Sequence, residues 1–220
     1  MDIPKLLELF KEFNAKERYF LVGEALGNRK YKLSKKFRKR IGKAIGIAIP
    51  EYAFAAMDYH LDWLYASLML ASTESEKGVF ENTDNVIKAQ QEDIDFIIAF
   101  EHDKKCCIVL IEAKGVSHWG NKQMKSKVKR LKQIFGENGT RWNNVFPHFI
   151  MMSPKKPDNV ATNDVPEWML CERAWGWVEL TISDFLKGIE RCDVQGKKNR
   201  KGEYWKAVKR KTKAVAKNKT

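Results

Sequence analysis

Two apolar runs carry the residues most able to do chemistry: Asp93-Ile-Asp95-Phe-Ile-Ile-Ala-Phe100, and Ile108-Val-Leu-Ile-Glu112-Ala113-Lys114-Gly115. Each is four to eight residues of β-rich composition, and the polar cluster Glu101-His-Asp-Lys-Lys105 between them suits a tight reversal. If the reversal is centred on Asp103-Lys104, residues whose numbers sum to 207 face one another, and Asp95 lies opposite Glu112. Directly opposed residues share a face with Cβ atoms roughly 4.5–5.5 Å apart, near enough for two carboxylates to grip one cation. Alternation keeps Lys114 on the face of Glu112 and sets Asp93 opposite Lys114. A turn one residue off centre would send Asp95 to the other face.

Two close carboxylates on a buried strand repel until a cation neutralises them. A hard divalent ion prefers oxygen and keeps several waters, so Asp95, Glu112 and the main-chain carbonyl of Ala113 make a half-shell for Mg²⁺, with Mn²⁺ as a substitute. Lys114 would stand beside the attacking water or the scissile phosphate. That is the equipment of phosphodiester hydrolysis, where a metal polarises the phosphoryl oxygen and a lysine stabilises developing negative charge.

Asp95 followed one strand later by Glu112-Ala113-Lys114 resembles the motif of the PD-(D/E)XK nuclease superfamily over roughly residues 50–155. Glu-x-Lys alone is a weak pattern. Its weight comes from the apolar strand before it, the acid on the preceding strand and the basic helix after it. The resemblance implies a restriction-endonuclease-like α/β three-layer sandwich, a central mixed β-sheet flanked by helices. It assigns metal binding to Asp95 and Glu112 and assistance of the attacking water to Lys114. No Pro precedes Asp95, a departure many members share. Asp93 is an accessory candidate. Glu51 or Glu81 could supply the further acid that a helix before the first catalytic strand often contributes in this superfamily.

The surrounding elements must position these groups. Residues 3–14 read as an amphipathic helix with Leu6, Leu7, Phe10 and Phe13 on one side. Residues 51–71 give the strongest helical signal, with Phe54, Met57, Leu61, Leu64 and Leu68 at three- and four-residue steps. Val86-Ile87 is the candidate first strand. A helix from Asn121 to Phe135 ends at Gly136, burying Met124, Val128, Leu131 and Phe135 and exposing Lys122, Lys125, Lys129 and Lys132. Gln123 and Lys127 are four residues apart and share a face, within reach of the scissile strand's phosphates. Some subfamilies of the resembled fold carry a functional Gln here, while an ordinary solvated helix face is the competing reading. Val145–Ser153 and Glu172–Leu180 read as further strands, and Ser183-Asp184 opens a helix through Ile189. Strand, strand, helix, strand in this order fits an α/β sandwich with a mixed sheet.

A single domain over 1–195, with its core at about 50–180, and a basic tail at 196–220 with helix among its options, account for the chain. Its 41 Lys and Arg against 28 Asp and Glu leave a net charge of +13, which favours a polyanion such as DNA. Residues 29–43 hold nine cations and no acid, among them Lys35, Lys36, Arg38, Lys39 and Arg40. With Lys122, Lys125 and Lys127 they are candidate phosphate contacts, giving affinity and salt dependence but no sequence choice. Residues 197–219 add eleven more cations against Glu203. Trp119, Trp142, Trp168, Trp175, Trp177 and Trp205 could stack on bases, and Trp119, just after the catalytic strand, is the best placed of them.

The leading expectation is a Mg²⁺-dependent DNA endonuclease of restriction or repair type. The alternative is a basic nucleic-acid-binding protein with a degenerate nuclease fold and no chemistry; a basic protein meeting an acidic partner or membrane surface is a third. Double-strand cleavage would favour a homodimer with paired sites. No nucleotide cofactor is expected, since Gly23-Glu-Ala-Leu-Gly27 lacks the Lys-Ser/Thr of a phosphate loop. The four cysteines show no zinc-ligand spacing, and the chain shows no signal peptide or membrane span, so a cytoplasmic location is expected.

Overall fold

A computed structural model describes residues 1–73, 78–89, 92–117, 119–183 and 186–209. Its organising unit is the hairpin of β2 (Asp93–His102) and β3 (Lys105–Ala113). Asp103 and Lys104 take φ of 49° and 59°, the two left-handed residues of a turn whose twist matches that of the flanking strands. The register runs from His102↔Lys105 to Phe96↔Ile111, so the turn is symmetric and the numbers do sum to 207.

Around this hairpin a five-stranded mixed sheet forms in the order β1-β2-β3-β4-β7, where β1 is Phe54–His60, β4 Val145–Ser153 and β7 Trp177–Glu179. β1 and β2 run antiparallel, as do β2 and β3, whereas β4 and β7 continue parallel. The crossover from β3 to β4 is α5 (Asn121–Phe135), ended by Gly136 at φ 83°. One face of the sheet packs Ile97, Ala99, Ile108, Leu110 and Met151 with α1 (Ile3–Glu12), α4 (Leu61–Ser72) and α5. The other packs Ile98, Phe100, Val109, Ile111, Ile150 and Met152 against Ile41 of α3 (Lys35–Ile45). The architecture is α/β, with a central mixed sheet and helices on both faces. Among the described residues no helix is long and apolar enough to cross a membrane.

Several elements differ from the sequence expectation. The stripe over 51–71 is not one helix, because Phe54–His60 pairs with the free edge of β2. Apolar residues at steps of three and four were compatible with either state. Asp58, at φ 48°, breaks the strand's alternation, so Phe54, Ala56 and Tyr59 all reach the same core. Val86 is a buried core residue outside any strand, tied down through Asp84, while Asn82 binds both backbone groups of Ile87. The first strand is β1.

The run from Glu172 to Leu180 is also divided. Short strands β5 (Leu170–Cys171) and β6 (Ala174–Trp175) turn through Glu172 and Arg173 at positive φ, and β7 follows. Gly176 makes that path fit, since a Cβ there would meet Ile150 Cδ1 at 2.9 Å and the Phe149 carbonyl oxygen at 3.1 Å. The helix expected through Ile189 is replaced by β8 (Lys187–Cys192), which pairs with β9 (Tyr204–Lys209), so the described part of the basic tail is a turn-rich loop followed by a strand rather than a helix. Asp184, expected to open that helix, and the last eleven residues of the tail lie outside the described residues. α2 (Glu17–Ala25) completes the element list.

Candidate active site at the end of the central hairpin

Pairing between β2 and β3 stops at Phe96↔Ile111, one step before the carboxylates. There the Ala113 N–H donates to Asp95 Oδ2 at 2.6 Å, so the aspartate side chain takes the place of the next ladder acceptor. N–H and C=O of one strand residue point to the same edge, which turns the Ala113 carbonyl toward Asp95 as well. Meanwhile the Lys114 N–H donates to Met152 O at 2.8 Å, so residue 114 remains held along β4.

Glu112 is the unusual member. It is 3% exposed, on the face covered by α5, and its neighbours there are Gln123 Nε2 at 3.5 Å from Oε1 and Lys127 Nζ at 3.6 Å from Oε2. Burial pushes its carboxyl up to about 7; the charges of Lys127 and Lys114 oppose the rise and that of Asp95 adds to it. Oε2 accepts no hydrogen bond among the described residues and has only the longer ion-pair contact with Lys127, an incomplete shell for a buried carboxylate oxygen. Asp95, Glu112, the Ala113 carbonyl and Lys114 therefore meet at one end of the hairpin.

Asp93 does not join them. Its carboxylate binds Lys16 Nζ at 2.9 Å and lies 3.1 Å from His60 Nδ1, instead of facing Lys114. The cause is the strand pairing: beyond Phe96, β2 stays in register with β1 through Tyr59↔Ile94 and His60↔Asp93 after its ladder to β3 has ended. The Asp93 carbonyl oxygen still touches the site, because it accepts from Lys127 Nζ.

Lys127 is the residue the sequence reading placed least well. It is 5% exposed, between Glu112 and the Asp93 carbonyl, and so is no phosphate contact on a solvated face. Its position was legible: 127 lies three after Met124 and four before Leu131, inside the buried stripe of α5. Lys16 and His60, which hold Asp93, carried no such signal. Arg130 on the next turn of α5 is also buried and pairs with Asp62 of α4 and, at 3.9 Å, with Glu92.

Of the other candidate phosphate contacts, Lys35, Lys36, Lys39, Lys122 and Lys125 are exposed. Arg38 is committed to the Leu33 and Ile49 carbonyls and Arg40 to the Glu179 carbonyl, so both serve α3 packing. Glu51 pairs with Lys32 and Arg38 near α3, and Glu81 is exposed beside the Tyr65 face of α4. Trp119 donates to Ser153 Oγ at 3.1 Å, and its ring lies 5.9 Å from Lys114 Nζ. These residues wall a pocket of about 290 Å³ with Lys155 and Lys156.

No family model matches the chain, and neither a curated protein nor a solved structure matches it. Among the described residues, no three or more His, Cys, Asp or Glu side chains converge as a metal site. A cation here would rely on two carboxylates and one carbonyl. That hard-oxygen set fits Mg²⁺, which keeps several waters, better than a softer metal.

Proposed function

We propose that this protein is a metal-dependent endonuclease that hydrolyses DNA phosphodiester bonds, a member of the PD-(D/E)XK superfamily with its restriction-endonuclease-like three-layer sandwich. The observation that carries this reading is Glu112: a buried carboxylate whose Oε2 accepts no hydrogen bond among the described residues and has only the Lys127 ammonium at 3.6 Å, set beside Asp95 and followed by Lys114.

In this reading Asp95, Glu112 and the Ala113 carbonyl hold Mg²⁺, or Mn²⁺ in its place. When bound, the ion supplies Lewis-acid polarisation of the phosphoryl oxygen and a more acidic water. The protein's own groups do the rest. Lys127 offsets part of the charge on Glu112 and fixes its orientation through the Asp93 carbonyl. Lys114 stands ready to orient the water and to balance negative charge growing on the phosphate. Exposed lysines on α3 and α5 supply sequence-independent contacts to the backbone. Restriction or repair is the class of role this chemistry serves, and paired sites in a homodimer would cut both strands.

The test is incubation of supercoiled and linear DNA with Mg²⁺, Mn²⁺ or EDTA. Metal-dependent fragments, lost in Glu112→Ala and Lys114→Ala while DNA binding persists, are the expected result. Full activity in either variant overturns the assignment of residues. Salt-sensitive retardation without breaks at any metal concentration favours a binding protein with a degenerate site instead.

A further inference from the structure

The second long hairpin of the chain stands apart from the central sheet. β8 and β9 pair over six residues, from Lys187↔Lys209 to Cys192↔Tyr204, and approach each other far more than any other described element. Side-chain alternation puts Lys187, Ile189 and Arg191 on one face beside Lys209, Ala207 and Trp205. All six are exposed, Ile189 at 77% and Trp205 at 67%. On the opposite face Gly188 and Cys192 are buried. There Glu190 is gripped by Lys198 at 3.0 Å and Lys206 at 3.6 Å, and its carboxyl is held below the usual range, chiefly by the hydrogen bond from Lys198.

This arrangement selects a partner. Glu190, the one carboxylate within the two strands, is turned away and neutralised, so the open face has three cations and no acid. Lys187 and Lys209 are directly opposed at its end, where like charges repel until an anion lies between them. Over 187–209 there are eight Lys and Arg against Glu190, Asp193 and Glu203. A protein partner would have to desolvate those cations around an aromatic centre, and interface cores are depleted of charge. A two-stranded antiparallel ribbon, by contrast, has the width to enter the major groove of duplex DNA, with cations toward the phosphate walls and apolar groups toward base edges.

We propose that the open face of the β8–β9 ribbon is a duplex-DNA-binding arm seated in the major groove, with Lys187, Arg191 and Lys209 on phosphates and Ile189 and Trp205 against the base edges. Arg191 is held in position by its Nε donating to the Gly202 carbonyl at 2.9 Å. The arm is separate from the carboxylate site and does not depend on cleavage there.

Full-length protein in EDTA, titrated against a fluorescein-labelled duplex of about 20 base pairs and against its single strand over a range of salt, tests this. Lys187→Glu with Lys209→Glu should weaken duplex binding at least about tenfold and reduce the salt slope by about two. Trp205→Ala should weaken it about tenfold with the slope unchanged. Wild-type affinity and slope in both variants overturn the proposal. So does a preference for the single strand that Trp205→Ala abolishes, or self-association lost in Trp205→Ala while duplex binding stays intact. Metal-dependent cleavage by the wild type is scored separately: binding lost in the ribbon variants with no breaks by the wild type keeps the arm and overturns the nuclease reading, whereas wild-type binding by the ribbon variants overturns the arm whether or not breaks appear.

Discussion

The two faces of the central sheet are made from the same strands yet bury different chemistry. Under α3, the core of Ile41, Ile98, Phe100, Val109, Ile111, Ile150 and Met152 contains no buried charge among the described residues. Under α4 and α5, Glu112, Lys127 and Arg130 are each 5% exposed or less among apolar neighbours. Taking an ion out of water costs several kcal/mol even when it is paired, so the second face is the less stable way to fill that volume. The apolar face shows what the chain does where only stability is required. The charged one shows where stability has been set aside, and such concessions gather at functional sites.

The comparison can be broken at its strongest point by Glu112→Gln, which keeps shape and removes charge. Metal-dependent cleavage should fall by about a thousandfold with duplex binding retained; a loss below threefold would make the buried charge structural. On the opposite face, Phe100→Ala should lower unfolding free energy by about 3–5 kcal/mol in a denaturant titration. Its cleavage rate per folded molecule should stay at the wild-type value. Loss of turnover in a folded Phe100→Ala protein would erase the distinction between the faces.

A pH series sharpens the comparison further. The unfolded Glu112 carboxyl releases its proton around the ordinary 4.5, whereas the folded one holds it to about 7. Between these values the unfolded state carries fewer protons, so this group lowers stability as pH rises, by up to about 3 kcal/mol in metal-free protein. Unfolding measured in EDTA from pH 4 to 8 should show that decline in the wild type and not in Glu112→Gln. Parallel curves would refute the raised carboxyl. Lys127→Met removes the largest opposing charge, and the midpoint of the pH–rate profile should move upward with it. The smallest effect expected is from Gln123→Ala, about two- to tenfold in rate, the worth of one hydrogen bond.

The hairpin and its acids were readable because their causes are local. A two-residue turn at Asp103-Lys104 and a period of two suffice to bring Asp95 and Glu112 to the same end of the hairpin, one step beyond the last paired residues, and the ends of α5 and β4 follow equally short-range signals. Misreadings arose where a distant element intervened. Phe54–His60 became a strand because β2 had an open edge, and Asp93 left the site because β2 follows β1 after parting from β3. The ribbon of β8 and β9 joins segments separated by a polar loop, so neither strand announces its partner.

Sequence alone determined which residue types are available and which of them share a strand face, since turn geometry and side-chain alternation act over a few residues. Only the tertiary structure decided that Glu112 is buried, that Lys127 is its counter-charge and that Lys16 and His60 take Asp93. Desolvation and ion pairing depend on what packs against a group from elsewhere in the chain, and no local pattern records that.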